Sequence, residues 1–556
     1  MVWKIDGPLG NESGKIKWEI VKWTRGRGLD LGCGQQKTFP HFIGVDSGKD
    51  RVLFNHAINA DVWVESAASL PMFASGSMDF VFSSHLLEHI PLEPQDPRRF
   101  TDPIQRALAD RMIVEKHTAQ DALKEWMRVL KKDGYLVLYV PDEDEYPKVG
   151  EEGANPDHVW NVSYEQVIDL MRRTGHGWDL VDFQKRNEGI EYSLFFVFQK
   201  RGGGCHFSWQ NPKPKKTAAI VRYGAFGDLL QCSSVAAGLK AQGYHVTLFT
   251  SPPGHQVIEH DPNIDAFYLQ DKDQVPNHLL GDFWAYHRAR FDKFVNLSES
   301  VEGSLLSIPG KTPHQWSPAA RHRYMNHNYV ELSHEIAGVP HKPAVRFFPR
   351  ESERVWAKAE RARLLGRDGQ LLVCWALAGS SVHKTWDGLD RTIASILTEF
   401  PNAHVVLVGG PDAAILEQGW EREPRVHCKS GKYSIRETMS LLEFVDVGIG
   451  PETGVMNAMS QLPCPKVLFL SHSTEENLCR DWVRTTSIAS ANTHCPGRGA
   501  NEAPACHMLH YSWEYCKQHP ERGIAQCQAD IDGDAAWGAI REAIHDAMGL
   551  GEEQRA

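Results

Sequence analysis

The sequence predicts an α/β fold built from three successive segments in which short apolar strands alternate with helices. Two observations carry that expectation. Short apolar runs recur through residues 26–200 and again from Thr217 onward, at lengths suited to the buried strands of a parallel sheet. The alternation breaks at 201–216, RGGGCHFSWQNPKPKK, a stretch rich in Gly, Pro and Lys with no period. A second pause falls at 337–350, AGVPHKPAVRFFPR. The expected organisation is a first domain over 1–200, a linker over 201–216, a lobe over 217–340 and a further lobe over 341–556.

In the first domain the expected strands are GRGLDLG, HFIGVD, ADVWVES, MDFVFSS and YLVLYV. Between the last two, Ala119 to Lys132 places Leu123, Met127 and Leu130 at helical spacing. A helix over Ser163 to Arg173 follows. WDLVDFQK and SLFFVFQK then lie close enough to form an antiparallel pair at the sheet edge. Beyond the linker come AAIVRYG, a helix through Leu239, and YHVTLFT. The third segment holds LLVCWAL, AHVVLVGG, VDVGIG and KVLFLS, and the amphipathic run AAWGAIREAIHDAM is expected to pack on a lobe.

Composition narrows the function classes. Of 556 residues, 42% are hydrophobic and 24% charged, as in globular enzymes. No apolar run is long enough to span a bilayer, and MVWKIDGPLGNESGK lacks the apolar core of a secretory signal, so a cytoplasmic protein is expected. The net charge is -11 with Lys and Arg scattered, which argues against duplex nucleic acid as the main partner. The eleven cysteines read as reduced side chains. Cys495, Cys506, Cys516 and Cys527 recur near His494, His507 and His510. No close C-x-x-C pair is among them, so packing or occasional disulfides rank ahead of zinc, and no metal is assigned anywhere in the chain.

The first candidate site follows the strand LDLGCG. Gly32 and Gly34 form a turn that lets backbone approach a ligand closely. About a dozen residues on, Asp46 ends the second strand, where a carboxylate can accept both hydroxyls of a ribose. The stretches LDLGCG, IGVD, SLP, MDFVFSSHLLEHI and ALKEWMRVLKKDGYLVLYVPD, in this order, resemble the class I methyltransferases of the type-11-like group. The resemblance implies a Rossmann-like domain that binds S-adenosylmethionine. Gly32 and Gly34 would lie against its methionine part, Asp30 would belong to the same loop, and Asp46 would hold the ribose. Gln35 and Gln36 follow GCG where the family often has a small residue. Ser66 stands where the family has an acid, leaving the adjacent Glu65 as the candidate. His85, Glu88, His89 and His158 are candidates to face the pocket. His158 is either the base that takes the acceptor's proton or a capping, structural histidine. Residues 92–118 read as a helical lid over the acceptor.

The second candidate site begins where a strand ends at Arg222, turns through Gly224 to Gly227, and starts a helix at Asp228. Asp228 is read either as a general base or as an N-cap. In AGSSVHKTW, small residues followed by Lys384 suit a diphosphate. In VDVGIGPETGVMNAM, a strand and a glycine turn lead into a helix whose free N–H groups at Thr453 and Gly454 would point toward an anion. RYGAFGDLLQCSSV, GSSVHKTW and GPETGVMNAM resemble the motifs of the ADP-heptose:lipopolysaccharide heptosyltransferase family, over about 217–545. That resemblance implies a GT-B fold, two Rossmann-like lobes facing a cleft, and an inverting mechanism. Asp228 would deprotonate the acceptor hydroxyl, with Gly227 beside it. Ser380, Lys384, Thr453 and Gly454 would hold the departing diphosphate. Glu452 would take the place of the donor-motif Asp, and Asn457 that of its His, which implies an altered donor; an ADP-sugar is favoured.

The reading that unites the two sites is a bifunctional glycan-modifying enzyme: glycosyl transfer from a nucleotide-sugar, with methylation of a saccharide acceptor by S-adenosylmethionine. The alternative is a glycosyltransferase acting on protein or modified nucleic acid, with the N-terminal domain a non-catalytic module that binds the acceptor.

Overall fold

The computed structural model describes residues 12–47, 58–94, 117–490, 506–509 and 516–549, apart from Pro156, Pro309, Asp368 and the side chains of Pro318 and Val382. Most of the expected lid over 92–118, and His494, Cys495 and His510, lie outside these residues. The chain divides into two units, Met1–Lys213 with Gln270–His287, and Pro214–Leu269 with Arg288–Ala556.

Among the described residues the first unit has eight strands: β1 (Gly28–Leu31), β2 (Ile43–Asp46), β3 (Val62–Trp63), β4 (Met78–Ser84), β5 (Leu130–Pro141), β6 (Gly177–Arg186), β7 (Ser193–Arg201) and β8 (Cys205–His206). Their order is β3-β2-β1-β4-β5-β7-β6-β8. Neighbours run parallel from β3 to β5, whereas β7 is antiparallel to both β5 and β6. The central strands are buried on both faces, as in Phe80–Phe82 and Leu136–Val140, which is why they read as continuous apolar runs. Helix α1 (Ala119–Val129) opens on a capping box: Thr118 Oγ1 accepts from the Asp121 amide at 3.2 Å, and Asp121 accepts from the Thr118 amide at 2.9 Å. It buries Leu123, Trp126 and Met127 under the sheet. The helix stops at Val129 rather than Lys132, because Leu130 already begins β5.

Two stretches depart from the expected boundaries. Cys205–His206, inside the linker, pairs with β6 as an eighth strand, and the Ser208 hydroxyl donates to Asp179 at 2.6 Å. Gln270–His287, expected in the lobe over 217–340, packs into the first unit. Polar ties hold it there: Gln274 donates to the carbonyls of Val21 and Thr24, Asp271 accepts from Arg25 and Gly26, and Tyr286 donates to Glu19. Phe283 is fully buried against Trp18.

The second unit contains two parallel sheets. The first lobe has β9 (Thr217–Val221), β10 (His245–Thr250), β11 (Ala266–Leu269) and β12 (Lys293–Asn296), ordered β11-β10-β9-β12. The second has β13 (Leu371–Ala376), β14 (Ala403–Val408), β15 (Val426–Cys428), β16 (Val447–Pro451), β17 (Lys466–Phe469) and β18 (Thr485–Ile488), ordered β15-β14-β13-β16-β17-β18. Helix α2 (Phe226–Ala241) follows β9, and α3 (Gly454–Met459) follows β16. The last helix, α4 (Gly533–Gly549), buries Ala536, Ile540 and Ile544 with the core of the second lobe. The fold is thus α/β throughout: one mixed sheet in the first unit, then two parallel sheets in the second. Among the described residues no helix is long and apolar enough to cross a membrane.

Candidate active sites

In the first unit, β1 lies between β2 and β4, so strand order reverses at β1, the kind of position where open α/β sheets take ligands at the carboxyl ends of their strands. Gly32 and Gly34 turn the chain there with φ of 67° and 55°, in the left-handed region that favours glycine. The Gly34 amide donates to Asp46 Oδ2 at 3.1 Å, so the acid ending β2 braces the turn. A Cβ at Gly34 would meet nothing within 4 Å, leaving that side open, whereas one at Gly32 would meet Leu86 at 3.1 Å. Asp46 is half-buried. Asp30 is enclosed, 3% exposed, and accepts from the Thr38 amide at 2.9 Å. Burial raises its pKa to about 7, against the lowering effect of that amide. Asp30 therefore supports the loop from within. Glu65 is exposed beyond β3, while Ser66 is buried and accepts from the Ala68 amide at 3.1 Å.

The loop after β4 brings the four acceptor-side candidates together. Glu88 is fully buried, and neither carboxylate oxygen has a hydrogen-bond partner. Its Oε1 lies 3.4 Å from His85 Nδ1 and 3.6 Å from His158 Nε2. His85 has a positive φ of 49° and its Nε2 lies 2.9 Å from Ser193 Oγ. The His89 and His158 rings meet edge to face at 4.8 Å, and Tyr146 packs on His158 at 5.2 Å. Burial pushes Glu88 up to about 8; burial, with His89 adding to it, pushes His158 down to about 4. An imidazole that basic only below pH 4 is poorly matched to proton removal near neutrality.

In the second unit, Asp228 occupies the first turn of α2, but the N-cap is Ala225. The Ala225 amide donates to Asp228 Oδ2 at 2.7 Å, and Oδ1 pairs with Arg222 Nη2 at 2.9 Å. Arg222 is buried and also donates to the Leu297 and Ser298 carbonyls. The Asp228 side chain remains 33% exposed, so it caps and still faces outward. Gly224 makes this possible: a Cβ there would overlap Asp228 Oδ2 and lie 2.7 Å from its Cβ. Gly227 and Gly454 bring the starts of α2 and α3 together, since a Cβ on Gly454 would lie 3.1 Å from the Gly227 nitrogen. Asn457 joins the same contact, accepting from Gln231 at 3.2 Å and donating to the Thr453 carbonyl at 3.0 Å.

Around β16, Glu452 is enclosed at 6% exposure and its carboxylate is fully engaged. Oε1 accepts from the Ser471 and Ser473 amides at 2.9 and 3.0 Å, and Oε2 accepts from Ser471 Oγ and pairs with His472 Nδ1 at 2.6 Å. Burial would raise its pKa, but His472, Lys384 and the Ser471 amide outweigh burial and hold it well below the usual range. Lys384, also buried, donates to the Glu452 carbonyl at 3.1 Å. Thr453 caps α3 by accepting from the Met456 amide at 3.3 Å, and Ser380 is exposed. Trp386 stacks on Phe469 at 4.5 Å, 8% exposed, as part of the core. Of the tail cysteines, Cys506, Cys516 and Cys527 line one small pocket with His383 and Lys517. Sequence reasoning missed Arg222, Gln231 and His472. Only Arg222 had a local signal, a cation six residues before Asp228; the others depend on contacts between distant segments.

Residues 29–114 match the family model described as a methyltransferase domain. No curated protein matches the chain. Among solved structures, the glycosyl transferase family 9 protein from Veillonella parvula is 16% identical with a TM-score of 0.38, over 50% of this chain and 86% of that one. The ADP-heptose LPS heptosyltransferase II of E. coli is 11% identical with a TM-score of 0.40, over 59% of this chain and 99% of that one. A SAM-dependent methyltransferase from Archaeoglobus fulgidus is 16% identical with a TM-score of 0.23, over 34% of this chain and 92% of that one.

Proposed function

We propose that the chain is a bifunctional transferase, in which the first unit transfers a methyl group from S-adenosylmethionine and the second a glycosyl group from a nucleotide-sugar, both on saccharide acceptors. The observation that carries the methyl half is the Gly32–Gly34 turn, open over Gly34 and braced by Asp46 at the strand switch point, inside the segment that matches a methyltransferase domain. In this reading Asp46 holds the ribose, Gly32 and Gly34 admit the methionine part, and Glu65 lies on the adenine side. The sulfonium is already activated, so alignment of acceptor oxygen and methyl group supplies most of the rate.

The glycosyl half rests on Asp228, ion-paired with Arg222 yet one-third exposed where α2 and α3 meet. Asp228 takes the proton of the acceptor hydroxyl as its oxygen attacks the anomeric carbon, and the nucleoside diphosphate leaves with inversion. Ser380, Lys384, Thr453 and Gly454 stabilise the departing diphosphate, an ADP leaving group being favoured. Gly227 and Asn457 shape the same junction.

Both halves are tested on the full chain. Calorimetry should show S-adenosylmethionine binding that Asp46→Ala abolishes without unfolding the protein; unchanged affinity would overturn the first site. A panel of nucleotide-sugars, assayed for turnover with saccharide acceptors, should identify a donor that Asp228→Ala still binds but no longer transfers, with a loss of about 10²–10⁴-fold. Equal turnover in both proteins removes the general-base assignment.

A further inference from the structure

We propose that Glu88, His89 and His158 form a binding site for a divalent first-row transition-metal ion beside the Gly32–Gly34 turn. One ligand atom from each residue lies within 4.8 Å of the others, so a small inward rotation of each side chain closes on one ion. The second observation is the state of Glu88. It is fully buried, and both oxygens lack a hydrogen-bond partner. A buried carboxylate is normally paired, hydrogen-bonded or bound to a metal. A neutral Glu88 would find only His85 Nδ1 at 3.4 Å and His158 Nε2 at 3.6 Å to accept its O–H, both beyond the usual length of such a bond. A cation satisfies both oxygens at once.

The donor set selects the ion. Two imidazoles and one carboxylate suit zinc, manganese or iron(II) better than calcium or magnesium, which take oxygen ligands, and three protein ligands leave positions for further oxygens. The surroundings orient the ligands as a metal shell does. His85, anchored near Ser193 at 2.9 Å, lies 3.4 Å from Glu88 Oε1, and Tyr146 packs on the His158 ring. By contrast, the cluster His327, Glu331 and Glu335 is partly exposed, and Glu331 already pairs with Arg480 at 2.9 Å.

The use of the ion rests on the methyltransferase reading; its binding does not. Leu86, two residues before Glu88, lies 3.1 Å from where a Cβ on Gly32 would sit, so the ligand loop abuts the cofactor turn. An acceptor hydroxyl in an open position of the ion loses its proton to a solvent base more readily. Its oxygen then attacks the sulfonium methyl, the C–S bond breaks with its electron pair passing to sulfur, and S-adenosylhomocysteine leaves. The ion thereby takes over the task first given to His158 as base, and it specifies a hydroxyl acceptor.

The test uses the full chain, stripped with a chelator and titrated calorimetrically with Mn²⁺ alone, chosen because it disfavours the thiols of the tail. One equivalent should bind, and Glu88→Gln, His89→Ala and His158→Ala should each weaken it by at least about tenfold, while Cys516→Ser leaves it unchanged. S-adenosylmethionine affinity is measured on the same samples, which also reports whether each variant is folded. No bound equivalent, or one indifferent to all three substitutions, overturns the site. Mn²⁺ binding without S-adenosylmethionine binding keeps the site and sinks the methyltransferase reading; the reverse result does the opposite.

Discussion

Gly224→Ala tests whether the acid proposed as the glycosyl-transfer base is held as the structure shows. The added methyl would overlap Asp228 Oδ2 and lie 2.7 Å from Asp228 Cβ and 2.8 Å from Cγ. Rotating the carboxylate away does not relieve the Cβ contact, so the first turn of α2 must shift. Two ties weaken with it, from the Ala225 amide at 2.7 Å and from Arg222 at 2.9 Å. Loss of the cap costs about 1 kcal/mol and overpacking about 1–3 kcal/mol, for a total of about 2–4 kcal/mol. Arg222 keeps the Leu297 and Ser298 carbonyls, so no buried charge is orphaned and the cost stays within that range. Transfer should fall by about 10²-fold, as expected for a reacting group displaced by an ångström. The assay is calorimetric unfolding with turnover measured on the same samples, in the wild-type and Asp228→Ala backgrounds. With Oδ2 and Cγ gone, the same alanine should cost about 1 kcal/mol less. Equal costs in both backgrounds would show that the carboxylate does not fill the space beside Gly224.

Two further outcomes follow from buried acids. Asp30 has a folded pKa of about 7 against an ordinary 3.8, so the folded state holds its proton longer. Its contribution is complete below pH 3.8 and is lost as pH rises through 7, at up to about 1.4 kcal/mol per unit; Asp30→Asn should remove that slope, and an unchanged stability-versus-pH difference curve would refute it. Glu452→Gln should destabilise the second unit by about 3–5 kcal/mol, because His472 and the Ser471 and Ser473 amides lose an ionised partner. Since the folded pKa of Glu452 lies below its ordinary 4.5, that contribution is present above pH 4.5 and fades on acidification, a trend denaturant titrations at several pH values would reveal or exclude.

The central strands were legible because burial on both faces writes itself as an unbroken apolar run, as in Leu371–Ala376 and Ala403–Val408. Apart from β3, expected within ADVWVES, the edge strands were not. β8, β11, β12, β15 and β18 are short and largely half-buried or exposed, so their residues carry no such signature. The placement of Gln270–His287 was hidden for a related reason. Its hold on the first unit comes largely from Gln274 and Asp271, polar residues that composition assigns to a surface loop. At the sites, the glycine turns and Asp228 could be read locally, but the Gln231–Asn457 tie spans 226 positions and leaves no local trace. Glu88 and the histidines could be named as candidates; their convergence could not, because His158 reaches Glu88 only through the fold.

Four acids stand near glycine turns at strand ends, and sequence pattern alone gives them equal claim to chemistry. Burial and partners separate them. Asp30 and Glu452 are enclosed, and the contacts they make hold neighbouring backbone in place. Asp46 and Asp228 each brace a backbone amide and remain partly exposed, so a ligand can approach each of them. A carboxylate that braces the turn from which it projects is held in one orientation, and a pre-oriented acceptor loses little entropy on binding. Substitutions at Asp30 and Glu452 should therefore register in unfolding, and those at Asp46 and Asp228 in binding and turnover. If Asp46→Ala and Asp228→Ala instead unfolded the protein while leaving affinity and turnover per folded molecule intact, the partition would be reversed, and both proposed sites would have to be rebuilt around other residues.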